Sequence, residues 1–175
     1  MQKFDTILAR AEERKGGAEQ LATMIFEHGR PTDFSHLGDD RILAEFTKRI
    51  FQAGFNWSVI EKKWDGFEDA FHGFDIGRNA FMSDDNFDAH LRNTDIVRNA
   101  TKILTVRDNA IFLSDIVKEH GPAAKFFNDW PSSDLIGLWQ LLKKRGSRLG
   151  GASAQYALRF LGKDCFILRQ IFFKS

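Results

Sequence analysis

Apolar residues recur along almost the whole of this chain at the three- and four-residue spacing of amphipathic helices. Phe4, Ile7, Leu8 and Ala11 predict a first helix, stopped by Gly16-Gly17. Leu21, Met24 and Ile25 predict a second, stopped near Gly29 and Pro31. A third carries Ile42, Leu43, Phe46, Ile50 and Ala53 on its inner face, with Asp39 or Asp40 as its cap and Gly54 at its end. Asn56 is placed to cap a fourth, with Val59, Ile60, Trp64, Phe67 and Phe71 before Gly73. Ser83 opens a short helix through Phe87 and Leu91. A long one follows, with Ile103, Leu104, Ala110, Ile111, Leu113, Ile116 and Val117, ending at Gly121-Pro122. After Ala123 to Phe127, a helix starts at Ser132 or Ser133 and runs through Leu135, Leu138, Trp139 and Leu142. The last runs from about Ala152 to Leu161. Only Cys165 to Phe173 approaches alternation, and it reads equally as a terminal helix or an extended tail. The pattern predicts an all-α fold of about eight to ten helices.

Composition adds bounds to that picture. The 175 residues fit one domain, with 43% hydrophobic and 28% charged positions. Eighteen Phe against one Tyr speak mainly of core filling. A net charge of +1 gives no global basic field. Placement is uneven, however: Lys143, Lys144, Arg145, Arg148, Arg159 and Lys163 crowd one stretch, while acids dominate from Asp65 to Asp95. The lone Cys165 excludes an internal disulfide and makes no zinc site unaided. The five histidines lack ligand spacing, so neither metal nor cofactor is expected. The start of the chain lacks the apolar core of a signal peptide, and no run approaches the ~20 residues of a membrane span. The expectation is a soluble, cytoplasmic monomer.

Phe51 to Trp57, where a helix ends at Gly54 and an aromatic ring is offered at the start of the next, is the most informative stretch, and Lys143 to Ala154, a basic, glycine-rich turn opening a helix, is the second. Gly150 and Gly151 let the backbone approach a phosphate closely or take positive φ. The first amides of the next helix have no internal partner and attract an anion. Arg145 and Arg148 would add charge, Gly146 the bend, and Ser153 a hydroxyl. Such contacts position a protein on DNA without reading sequence. The plain alternative is a glycine turn with a solvated basic face.

Several motifs then occur in a telling order: Phe51-Gln52-Ala53-Gly54-Phe55-Asn56-Trp57, Lys62-Lys63, Phe71-His72-Gly73-Phe74-Asp75, Ile96-Val97-Arg98-Asn99 with Lys102-Ile103, and Leu142-Lys143-Lys144-Arg145-Gly146. This set resembles the DNA-3-methyladenine glycosylase I family of the helix–hairpin–helix glycosylase superfamily, over about residues 39 to 164. The resemblance implies two helical lobes around a cleft, monofunctional base excision, and duplex DNA containing a damaged base as partner. Trp57 matches the family's pocket aromatic, with Phe51, Gln52 and Arg49 nearby. Residues 1 to 38 show no match.

Three departures qualify the resemblance. The cysteines of the family's zinc clasp are missing. The family's base-recognising glutamate aligns with Arg49, which would repel a cationic adenine; Glu45, one turn earlier, is the candidate substitute, and Gln52 a reader of the base edge. Lys163-Asp164-Cys165-Phe166-Ile167 looks like the approach to the superfamily's catalytic aspartate, whose position falls near Arg169 or Gln170. Asp164 is the only nearby carboxylate, and a helix cap or salt bridge is its plainer role. Tyr156 sits one turn beyond the hairpin, as fit for packing as for function. The expected activity is hydrolysis of the N-glycosidic bond of an alkylated purine. The alternative is a DNA-binding or damage-sensing protein that has lost chemistry.

Overall fold

The computed structural model describes residues 3–29 and 31–168, and divides the chain into two compact units, residues 1–32 and 33–175. The described residues are helical, with no strand among them. In the first unit, α1 (Phe4–Lys15) ends on Gly16 at φ 88°, and α2 (Ala18–Gly29) follows. No residue of α1 is buried, although its apolar spacing predicted an inner face.

The second unit is built around α3 (Asp39–Gln52), whose apolar face is sealed by Ile42, Leu43, Phe46 and Ile50. Gly38, not Asp39 or Asp40, is its N-cap residue. Asp39 instead accepts the backbone N–H of Ala123 at 2.7 Å, so this carboxylate caps a distant helix. Asn56 accepts from Ser58 N–H at 3.0 Å and opens α4 (Trp57–Lys62), as its type predicts. The single helix expected there breaks at Lys63, and α5 (Trp64–Ala70) continues in a new direction. Phe67, Phe71 and Phe74 thereby stack in series with Trp64 at the foot of the core.

A turn at His72–Phe74 has φ near +60° at three consecutive residues, tied to α3 where Arg41 donates to the Gly73 carbonyl at 2.7 Å. Then come α6 (Ile76–Ala80) and α7 (Asp84–Arg92), the latter opened by a reciprocal capping pair of Ser83 and Asn86. The long α8 (Ala100–His120) packs Ile103, Val106, Ala110, Leu113 and Ile116 into the core. After α9 (Ala123–Asp129), a short 3-10 turn at Ser132–Asp134 precedes α10 (Leu135–Arg145), capped by Asp134 and not by either serine. The chain turns at Gly146–Gly151 into α11 (Ala152–Leu161), which lies against α3. Residues 163–168 are neither helix nor strand. The rest of the ambiguous tail lies outside the described residues.

Candidate nucleic-acid interface and base pocket

Two helices set the geometry of the aromatic face. The i, i+4 spacing on α11 brings Tyr156 and Phe160 to one side, while α4 delivers Trp57 at its first position. Trp57 meets Tyr156 edge-on at 5.4 Å between centroids and Phe160 at 6.2 Å. Its ring is 39% exposed and that of Phe160 56%, so neither is sealed in the core. Phe55, just before the Asn56 cap, is exposed as well.

The turn that carries Trp57 is held from below. Lys102, on α8, is buried and donates to the carbonyls of Phe51 (3.1 Å) and Ala53 (2.7 Å), satisfying carbonyls at the C-terminal end of α3. Burial, and then the nearby charge of Arg148, push the Lys102 ammonium below its ordinary pKa. Lys102 and the preceding Asn99, whose side chain caps α8, thus form a base plate under the Gln52–Trp57 segment.

Behind the aromatic face runs a charged relay. Arg49 Nε–H donates to Glu45 at 2.5 Å, and Nη1 donates to Gln52 Oε1 at 2.6 Å. The Gln52 amide donates on to Glu61 at 2.9 Å, and the other Glu61 oxygen pairs with Lys48 at 2.7 Å. The Arg49 guanidinium lies 3.7 Å from the Phe160 ring centroid and 5.5 Å from that of Trp57. Only 7% of Arg49 is exposed. Alternating charge along α3 and α4 makes this burial affordable, because each charged group meets an opposite or polar partner.

The expected pocket residues therefore separate into different roles. Trp57 and Arg49 come together, with Glu45 linked through Arg49. Gln52 is 1% exposed, and each end of its amide is engaged inside the relay, so it is turned away from any base edge. Phe51 belongs to the core: it is fully buried and packs edge-on against Phe67 at 4.7 Å. Beside the relay, Arg41, Glu45, Lys48, Trp64, Glu68 and Phe160 line a cavity of about 280 Å³. Phe160, not singled out by sequence reasoning, borders both spaces. Its only advance signal was its helical spacing from Tyr156.

The hairpin turn has its own anchor. Ser147 N–H donates to Asn109 Oδ1 at 2.8 Å, and Asn109 Nδ2 donates back to the Ser147 carbonyl at 3.1 Å. Leu149 is fully buried, pinning the middle of the turn. A Cβ on Gly146 would sit 2.7 Å from both the Leu142 carbonyl oxygen and Leu149 Cδ1, so glycine is required there by space. Gly151 is required by conformation, at φ +60°. Arg148 takes a left-handed φ of 56° and is exposed; Gly150 is exposed, and Ser153 is half-buried in the first turn of α11. Arg145 is committed elsewhere. Its fork grips Glu119 at 2.7 and 2.9 Å, and this pair holds the Glu119 carboxyl below the usual range.

Asp164 is exposed on the loop after α11, and its carboxylate makes no hydrogen bond or ion pair among the described residues. Flanking contacts fix the loop: Lys163 donates to the carbonyls of Asn128 and Trp130, and Phe166 meets Trp139 edge-on at 5.0 Å. Arg169 and Gln170 lie outside the described residues. No group of three or more His, Cys, Asp or Glu among the described residues is arranged to hold a metal ion.

This helical arrangement is that of solved DNA glycosylases. A crystal structure of 3-methyladenine DNA glycosylase I is 24% identical with a TM-score of 0.61, covering 74% of this chain and 79% of that one. A second 3-methyladenine DNA glycosylase I, from Staphylococcus aureus, is 20% identical with a TM-score of 0.62, covering 88% and 90%. At those identities the likeness establishes the fold. In sequence, a 59-residue stretch is 34% identical to the DNA-3-methyladenine glycosylase of Haemophilus influenzae, covering 34% of this chain and 32% of that relative. The profile of the family described as Methyladenine glycosylase matches residues 29–144, and the chain belongs to that family.

Proposed function

We propose that this protein is a monofunctional DNA glycosylase that hydrolyses the N-glycosidic bond of an alkylated purine. The observation that carries the reading is Trp57: a large ring left 39% exposed at the start of α4, yet locked in place by the Asn56 cap and the Lys102 base plate. A base must leave the stack before its glycosidic bond is reachable, and it then needs a rigid surface to lie on. Stacking on such a ring contributes ~1–3 kcal/mol.

The chemistry asks for little more. The C1′–N bond breaks, the base departs with the bonding electrons, and water adds to the sugar cation and loses a proton. A carboxylate near the sugar stabilises the cation and takes that proton, and Asp164 and Glu45 are the candidates. Asp164 makes no hydrogen bond or ion pair among the described residues, whereas Glu45 is tied to Arg49. Backbone contact is assigned to the Gly146–Ser153 turn, with Arg148 supplying charge.

The commitment of Glu45 to Arg49 is the one observation that favours a second reading, a damage-binding protein without chemistry. Abasic-site formation on methylated duplex DNA separates the two. Accumulating abasic sites support the enzyme; tight binding to the same duplex without them supports the sensor.

A further inference from the structure

The hydrogen-bond inventory around Trp57 says what kind of base edge this site can satisfy. Gln52 is 1% exposed, with its oxygen on Arg49 and an amide N–H on Glu61, so burial withholds it from a base edge. One oxygen of Glu45 is taken by Arg49. A guanidinium carries five N–H donors and no acceptor. Of those on Arg49, Nε–H serves Glu45 and one Nη1–H serves Gln52, and the others make no hydrogen bond to a described residue. Its nitrogens are not among the fully enclosed, unpartnered side-chain atoms of the described residues, and Arg49 as a whole is 7% exposed. That fork is rigid. Phe160 covers it at 3.7 Å, and its charge sits 5.5 Å from the centre of the Trp57 ring.

We infer, building on the glycosylase reading, that Arg49 makes this pocket selective for an uncharged 6-oxopurine lesion, alkylated or deaminated, over a cationic 6-aminopurine. Two independent requirements lead there. A donor-only fork needs acceptors, and the O6 and N7 atoms of a guanine-like edge present two side by side, the geometry that arginine matches in a bidentate fashion. An adenine-like edge places an amino group there instead, donor against donor. Charge gives the second requirement. A cationic base on Trp57 would compete with Arg49 for the same ring electrons and be repelled by a fixed like charge in a partly dry site.

The test compares the unaltered protein on matched duplexes containing hypoxanthine, 1-methylguanine or 3-methyladenine, reading single-turnover excision. A parallel arm measures binding to an uncleavable 2′-fluoro hypoxanthine duplex against undamaged duplex. Excision of either 6-oxopurine about tenfold or more faster than 3-methyladenine is expected, the scale one bidentate contact supplies. Arg49→Gln should then erase the preference. Equal or faster release of 3-methyladenine would overturn the inference and leave the glycosylase reading standing. If no base is released, the glycosylase reading fails, and the binding arm still decides the inference. Preferential binding of the hypoxanthine duplex supports Arg49 recognition, and equal binding of both duplexes overturns it. Because these comparisons use the unaltered chain, a misfolded Arg49 variant cannot obscure the result.

Discussion

Asn109 and Ser147 exchange two hydrogen bonds across 38 residues of sequence, the asparagine amide satisfying both backbone groups of the serine. Asn109 is fully buried, so α8 holds the hairpin turn as a strand partner would. Asn109→Ala strands both backbone groups of Ser147 and should cost about 1–3 kcal/mol in urea unfolding. It should also weaken binding to undamaged duplex, because Arg148 and the amides of α11 lose their support. Full stability with unchanged affinity would mean the turn holds its shape unaided.

The ion pair between Arg145 and Glu119 predicts a gain of binding. Glu119→Gln should free the Arg145 fork, raise affinity for undamaged duplex and steepen the log–log salt slope by about 0.9. Arg148→Ala should flatten that slope by a similar amount. The pH dependence has a definite sign. Because Arg145 lowers the Glu119 pKa, the pair's stabilisation is present above the ordinary glutamate pKa and fades as pH falls through the lowered one. Slopes unmoved in both variants would place the DNA contact on another face.

Lys102 links the core to the exposed ring. Lys102→Met keeps the packed stem but removes the donors to Phe51 and Ala53, and should cost roughly 1–3 kcal/mol. Burial lowers this ammonium's pKa, so the folded chain sheds the proton before the unfolded chain does. Wild-type stability should therefore rise with pH between the lowered value and the ordinary lysine value of 10.5, a gain absent from Lys102→Met. Thermal melts of both proteins across the alkaline range measure it.

Much of this architecture was legible because helices announce themselves by period. The α11 bounds, the Asn56 and Ser83 caps and the Gly121 stop follow from local rules that tertiary contacts left alone. The break at Lys63 was not legible, since the aromatic spacing runs smoothly from Ile60 to Phe71, and only three-dimensional packing of Trp64 on Phe67 and Phe74 favours a bend. Asp39 misled for a related reason: a residue suited to cap its own helix was recruited by Ala123, 84 positions away. For the candidate site, the ordered motifs singled out Trp57, and the departure at Arg49 named a side chain that the fold brings to 5.5 Å from that ring. Sequence spacing cannot show that Gln52 is spent on Glu61, or that Arg145 is spent on Glu119, because those partners meet only in the folded chain.

Arg49→Glu puts a carboxylate where the guanidinium fork now lies. It should raise excision of 3-methyladenine from methylated duplex, because a carboxylate accepts from an amino edge and attracts a cationic base. It also leaves Glu45 and Glu61 less neutralised, so some loss of stability is expected, and a melt should accompany the assay. A folded variant that gains no activity would show that charge at this position does not govern base choice.

The most direct measurement of the central claim is abasic-site formation by Trp57→Ala beside the parent on one lesion-bearing duplex. The ring is 39% exposed, so its loss should cost well under the ~3–5 kcal/mol typical of a buried tryptophan, and the variant should melt near the parent. The account predicts a folded protein that still binds undamaged duplex through the hairpin and excises nothing measurable. Parent-like excision by the folded variant would contradict it.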